Sequence, residues 1–213
     1  LGIAQGMLLS GMAEVILLAT SDTYTQRLSP DDRATVTLFG DGGAVTVLRA
    51  TEDDRGIRDI SFGSAGSHSD HFIIREGGAR QPAKLKNEAP EQTTPSLESY
   101  VSMNGMGVLS FFNSVIPKSI QEILSRNELT MDQVDHFVFH QASQIALDSI
   151  AKALGIPSNK MIVDIKETGN LVSASVPVAL ARAMKCGRLR DGQVIVLCGF
   201  GVGLSWSCAI IDL

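Results

Sequence analysis

The stretch "FVFHQASQIALDSIAKALGI", residues 137–156, decides how this chain is read. Phe137 to Phe139 form an apolar run that stops on His140, and "SQIALDSIAKALG" follows as an amphipathic helix stopped by Gly155. A strand handing over directly to a helix places His140 at a strand's C-terminal end. In open α/β sheets that edge is where ligands bind. On position alone, an imidazole there serves equally well as a satisfied core group or as part of a site.

Working outward, "KMIVDI" reads as a strand and "SASVPVALARAMKCG" as a helix stopped by Gly187. "GQVIVLCGFG" and "LSWSCAIIDL" read as two closing strands. Upstream, "MGVLSFFNSVIPKSIQEILSRNEL" is helical by period, with Pro117 as a kink or restart. Residues 63–99 are rich in Gly, Ser, Pro and charge and read as a long exposed excursion. Before it, Glu14–Asp22 reads as a buried strand and "SPDDRA" as a loop or short helical turn. "TVTLFGDGGAVTVLRA" reads as two extended pieces around Gly40–Gly43, and "GIRDISFG" as a further short strand. The first residues, "LGIAQGMLLSGMAE", have helical spacing with no initiator Met and no N-cap, so the sequence is expected to begin inside a helix.

Alternating strands and helices imply right-handed crossovers in a mostly parallel sheet covered by helices, an α/β fold. The order helix, strand, final strand occurs twice, which predicts an internal repeat with its first copy cut short. The expected divisions are 1–62, a loop-rich 63–99, and 100–213.

Composition narrows the function. The chain of 213 residues is 44% hydrophobic and carries a net charge of -5, which excludes the basic footprint of a nucleic-acid binder. No run of apolar residues is long enough to span a membrane, and no signal peptide is visible. Cys186, Cys198 and Cys208 lack CxxC spacing, so neither a disulfide framework nor a zinc site is expected, and a reducing cytoplasm fits.

Among the histidines, His68 and His71 flank Asp70 but lack a fourth ligand. They read as a solvated loop, with no metal site expected. His136 opens a strand and is expected at the surface. His140 differs, because two further strand ends resemble its setting. "MIVDIKETGN" ends on Gly169-Asn170, and "VIVLCGFGVG" ends on a glycine-rich turn, Gly199–Gly203. Parallel strands deliver their C-termini to one edge, so His140, Asn170 and that turn can converge. A neutral imidazole N–H, a carboxamide NH₂ and backbone N–H groups are uncharged donors, suited to hold an oxygen that becomes negative. That suits acyl chemistry through an enolate or tetrahedral adduct. It supplies no nucleophile.

At these residues the chain resembles 3-oxoacyl-[acyl-carrier-protein] synthase III of the thiolase superfamily. "FHQAS", "ETGNLVSASVP" and "VLCGFGVGLSWSCAIIDL" carry the resemblance, supported by "SPDDRATVTLFGDGG" and "YVSMNGMGVLSFF". The resemblance implies a thiolase-like five-layer α-β-α-β-α fold of two pseudo-repeats, here a truncated N-terminal half plus a complete C-terminal half. It also implies a homodimer paired through a strand like Val15–Thr20. It implies acyl transfer from acyl-CoA to a cysteine, then condensation with malonyl-ACP as CO₂ leaves, with no cofactor beyond acyl-CoA as substrate. His140 and Asn170 would stabilise the enolate. The turn Gly201–Gly203 would offer the Val202 N–H to the acyl oxyanion, and Phe39 and Phe200 would line the acyl pocket. Arg33 would lie near the tunnel mouth, with an ordinary surface charge as the alternative.

Several positions depart from the family pattern. The family's cysteine is expected about seven residues before Leu1, at a helix start that would lower its thiol pKa. Cys186, Cys198 and Cys208 read as packing residues, so these 213 residues alone are expected to be inactive. Ser143 replaces the motif's usual Asn. Ile145 stands where many members carry a basic residue for carrier docking. Leu171 and Val172 make the acceptor side more apolar. Two alternatives remain open: non-decarboxylating acyl transfer to oxygen or nitrogen with His140 as general base, and an inactive fragment or subunit.

Overall fold

The computed structural model describes residues 1–53, 55–82 and 97–213; within the 63–99 excursion, 83–96 lie outside the described residues. Helix α1 (Gly2–Leu9) leads into β1 (Val15–Asp22), which pairs antiparallel with β2 (Gly42–Arg49) from Val15↔Arg49 to Asp22↔Gly42. Strand β1 is not buried as its continuous apolar sequence predicts. Its residues alternate between half-buried and exposed, with Val15 at 58% and Leu17 at 68% exposure. The first half of the expected extended stretch "TVTLF" is instead part of a short helix, α2 (Arg33–Val36). Asp32 explains it: one carboxylate oxygen accepts from Ala34 N at 3.0 Å and the other from Thr35 Oγ1 at 2.8 Å, an N-cap that outcompetes the β preference of Thr and Val.

Next come β3 (Gly56–Ser64) and the small antiparallel pair β4 (Phe72–Ile73) and β5 (Ser102–Met103). Helix α3 (Gly105–Arg126) starts at Asn104, whose side chain accepts from Gly107 N at 3.0 Å, and passes through Pro117 as one element rather than restarting there. The remaining elements are β6 (His136–Phe139), α4 (Gln144–Leu154), β7 (Met161–Ile162), α5 (Ile165–Thr168), α6 (Ser175–Lys185), β8 (Val194–Gly201) and β9 (Ser205–Asp212). Gly155 ends α4 at φ +66, the left-handed stop that the sequence announces.

The main sheet runs β3-β9-β8-β6-β7. Only β6–β7 and β6–β8 are parallel, so the sheet is mixed rather than mostly parallel. The cause is local: β8 and β9 are joined by residues 202–204, and so short a connection can only link antiparallel strands. Phe137, Phe139, Val196 and Ile210 face α3 and α4, packing on Ile116, Ile120, Ile123, Leu147 and Ile150. Val138, Ile195, Leu197 and Ala209 face α6 through Ala179 and Ala183. Trp206 pins β9 to α3 by donating Nε1–H to Ser119 Oγ at 2.7 Å. Helices α1 and α6 lie between this sheet and the β1–β2 pair, around a shared cavity, so the described residues stack as α-β-α-β. Among them, no helix is long and apolar enough to cross a membrane.

Candidate active site

His140 sits one residue past β6. Its N–H donates to Cys198 O at 2.7 Å, prolonging the β6–β8 ladder, and its carbonyl accepts from Ala142 N at 2.9 Å. The imidazole meets Phe200 edge to face, with centroids 5.4 Å apart and an interplanar angle of 86°. Phe200 in turn lies 4.7 Å from Phe112 of α3. Burial lowers the His140 pKa to about 4, so the ring is neutral at pH 7 and carries one N–H donor. The next residue, Gln141, is buried. Its Nε2 donates to Phe139 O at 2.8 Å and Ile162 O at 3.3 Å, while its Oε1 accepts from Asp164 N at 2.7 Å. This amide fixes the loop after β6 against β7. Ser143, in place of the family's Asn, N-caps α4 by accepting from Ala146 N at 3.1 Å.

Asn170 reaches the same place from the loop after α5. Its backbone forms a parallel bridge with Phe39: Asn170 N donates to Leu38 O at 2.9 Å, and Gly40 N donates to Asn170 O at 3.0 Å. Close approach explains the glycine. A Cβ on Gly40 would lie 2.5 Å from Thr168 O. The Asn170 side chain is 5% exposed and oriented at one end: Oδ1 accepts from Val172 N at 2.9 Å and Ser175 Oγ at 3.5 Å. Its Nδ2 donates to Ala142 O at 3.5 Å, two residues beyond His140, and an NH₂ carries a second N–H beside that one.

The β8–β9 turn follows Phe200, whose ring meets His140. Val202, 54% exposed, accepts from Ser205 Oγ at 2.7 Å, and the Gly203–Leu204 peptide is cis. The two expected pocket phenylalanines occupy separate clusters. Phe200 packs by His140, whereas the Phe39 ring joins Tyr24 at 4.9 Å and Phe72 at 6.0 Å. Arg33 is exposed at the start of α2.

Three expectations need correction. His68 and His71 are half-buried rather than solvated: the His68 ring is 4.9 Å from Phe111, and His71 packs under Gly107 at the start of α3. Among the described residues they join no cluster of three metal-ligating groups. His136 is half-buried, and burial lowers its pKa, aided by the nearby Arg188 charge. Cys186 is exposed at the end of α6, while Cys198 and Cys208 are buried on β8 and β9 as packing residues should be. Sequence reading missed Gln141, Val172 and Ser175 as groups that orient the site. The one available signal was an Asn followed two residues on by a free backbone N–H, the pattern of an Asx turn.

This layering and sheet order define a thiolase-like fold. A solved 3-oxoacyl-(acyl-carrier-protein) synthase III superposes on all of this chain and on 64% of its own, with a TM-score of 0.91 at 33% identity. The priming β-ketosynthase of the R1128 polyketide biosynthetic pathway matches 99% of this chain and 60% of its own, with a TM-score of 0.84 at 26% identity. Residues 1–66 match the family model of 3-oxoacyl-[acyl-carrier-protein (ACP)] synthase III, and residues 124–213 match the model of its C-terminal part. The beta-ketoacyl-[acyl-carrier-protein] synthase III of Clostridium perfringens is 35% identical over 213 residues, all of this chain and 64% of that protein. The chain belongs to the 3-oxoacyl-[acyl-carrier-protein] synthase III family and spans about 64% of the length of these relatives.

Proposed function

We propose that the protein containing this chain is an acyltransferase that condenses an acyl group from acyl-CoA with a malonyl thioester, releasing CO₂. Support for this reading comes from a neutral His140 at the end of β6 and from an Asn170 whose Oδ1 is engaged and whose Nδ2 reaches Ala142 O, two residues past His140, so that uncharged donors are available on two neighbouring loops. When malonyl thioester loses CO₂, the electron pair of the broken C–C bond becomes an enolate. His140 and Asn170 Nδ2 donate to its oxygen. The enolate carbon then attacks the acyl carbonyl on the enzyme, and the Val202 N–H, in the turn Gly201–Gly203, donates to the tetrahedral oxyanion. The cysteine thiolate leaves. Preorganised donors of this kind stabilise charge only as it develops. Phe39 and Phe200 border the acyl chain and Arg33 meets CoA at the entrance.

The nucleophile in this reading is a cysteine on a helix that continues upstream of Leu1. Supporting it, α1 runs antiparallel to β1, and Leu1 and Gly2 border a cavity of about 290 Å³. That cavity is lined by Leu18, Thr20, Val176, Pro177, Leu197 and Gly199. Seven more helical residues at about 1.5 Å each would advance about 10 Å past Thr20 and Gly199, toward the strand ends that hold the site. The partners proposed are acyl-CoA, malonyl-ACP or another thioester carrier, and a second copy of the protein paired through Val15–Thr20, in the cytoplasm and without a cofactor. Ile145, 71% exposed in the first turn of α4, favours a carrier that docks without an acidic contact there.

The test uses the full-length protein. Intact mass after acyl-CoA should show a covalent adduct, and malonyl thioester should then release CO₂. His140→Ala should keep the adduct and lower condensation by about 10²–10³-fold. Undiminished condensation would remove His140 from the mechanism. Acyl transfer to an amine or alcohol without CO₂ release would replace condensation by plain transfer.

A further inference from the structure

Gln141 follows His140 in the chain and takes no part in the steps proposed above. It is 1% exposed, and its carboxamide is committed at both ends. Nε2 donates to Phe139 O at 2.8 Å and to Ile162 O at 3.3 Å, and Oε1 accepts from Asp164 N at 2.7 Å. These partners belong to different segments. Phe139 ends β6, Ile162 ends β7, and Asp164 precedes α5, which leads through Gly169 to Asn170. Ala142 N donates to His140 O at 2.9 Å, so Gln141 is also the middle residue of the three-residue turn after His140. The next carbonyl, Ala142 O, is the one that accepts from Asn170 Nδ2, at 3.5 Å. The far side is braced as well. Asp164 Oδ1 accepts from Arg182 Nε at 2.9 Å, and α6, which carries Arg182, begins at Ser175, whose hydroxyl donates to Asn170 Oδ1 at 3.5 Å.

We propose that Gln141 is a positioning residue for condensation: its buried carboxamide ties the turn after His140 to the segment leading to Asn170, and so sets the separation of the two donors. This rests on the reading of both residues as enolate donors. A buried amide with partners at both ends has little slack, because releasing one of them leaves a polar group unpaired away from water. The enolate oxygen must meet both N–H groups at once, so their spacing matters only while both donors are present.

The experiment is a double-mutant cycle on malonyl-dependent condensation by the full-length protein. Gln141→Met keeps the length of the side chain and removes its hydrogen bonds. It should lower kcat by about tenfold or more, since small misplacements of a catalytic group are costly in rate, and move the KM for malonyl thioester far less. In an Asn170→Ala background the same substitution should cost no more than about threefold, because a single donor leaves no separation to set. Equal losses in both backgrounds, or a loss carried by KM alone, would overturn the proposal. If Gln141→Met does not fold, Gln141→Glu, which keeps the shape and one acceptor oxygen, takes its place in the cycle with the same expected coupling. Asn170→Ala alone tests the underlying reading. If it leaves condensation intact, the donor reading fails and this proposal falls with it. If it lowers condensation while Gln141→Met does nothing, only the positioning role is wrong.

Discussion

Strands β1 and β8 are both eight residues long and similarly apolar, "VILLATSD" against "VIVLCGFG", yet they live in different surroundings. Strand β8 is covered on both faces, by α3 and α4 on one side and α6 on the other, and five of its residues are buried. Strand β1 has α1 and α6 on one face, and Val15 and Leu17 on the other are exposed together with Val45 and Val47 of β2. A continuous apolar run is the signature of a strand between two layers. The described residues provide both layers for one sheet and a single layer for the other. Apolar sequence therefore reports how much cover a strand needs and is silent on whether the same segment of chain provides it.

The two sheets should respond differently to substitution. Phe139→Ala, in the doubly covered sheet, should lower the unfolding free energy of the full-length protein by about 3–5 kcal/mol, read from denaturant curves, because a fully buried ring leaves a cavity. A loss below about 1 kcal/mol would mean that this core is loosely packed. Leu17→Asp, on the open face of β1, should change unfolding far less and instead halve the mass seen by light scattering, if the dimer proposed above forms through this strand. An unchanged mass would move the interface elsewhere. The smallest effect is a pH dependence confined to the main sheet. Burial lowers the pKa of His136 and, to about 4, that of His140. Unfolded, both titrate near about 6.5. Above that value neither carries charge in either state and their neutral burial costs nothing. As pH falls from about 6.5 toward 4, the unfolded chain binds protons that the fold resists, so stability drops. Thermal melts at pH 7 and pH 5 should show a larger drop for the parent than for His140→Gln. Equal drops would mean that His140 takes up its proton without unfolding.

Much of this contrast was legible in advance. The helices α3, α4 and α6 and the long strands follow from period and from glycine stops such as Gly155, because burial of one face and left-handed termination leave direct marks on residue type. The places of His140, just after β6, and of Asn170, in the loop beyond β7 and α5, were legible because strand–loop–helix transitions leave marks in the sequence, while their roles belong to the proposal. Arrangements set by long-range geometry were not. Asp32 turning "ATV" into a helix is a capping contest that propensity alone does not decide. The antiparallel half of the main sheet depends on a short link after Gly201, which reads as a glycine turn without stating strand direction. The Asp22–Ser173 contact joins residues 151 apart and leaves no local trace.

Strand β3 has a consequence for how the protein is made. Among the described residues its one strand neighbour is β9, from Gly56↔Asp212 to Ser64↔Ser205, and Arg58 pairs with Asp212 across 154 residues. During synthesis, residues 56–64 leave the ribosome well before their partner exists. The nascent chain must carry an apolar segment, including Ile57, Ile60 and Phe62, without its neighbour until residues 205–212 emerge. So distant a pairing also slows folding, because the loop must close before any contact rewards it. Chains interrupted before residue 205 should therefore aggregate more readily than chains that reach residue 212.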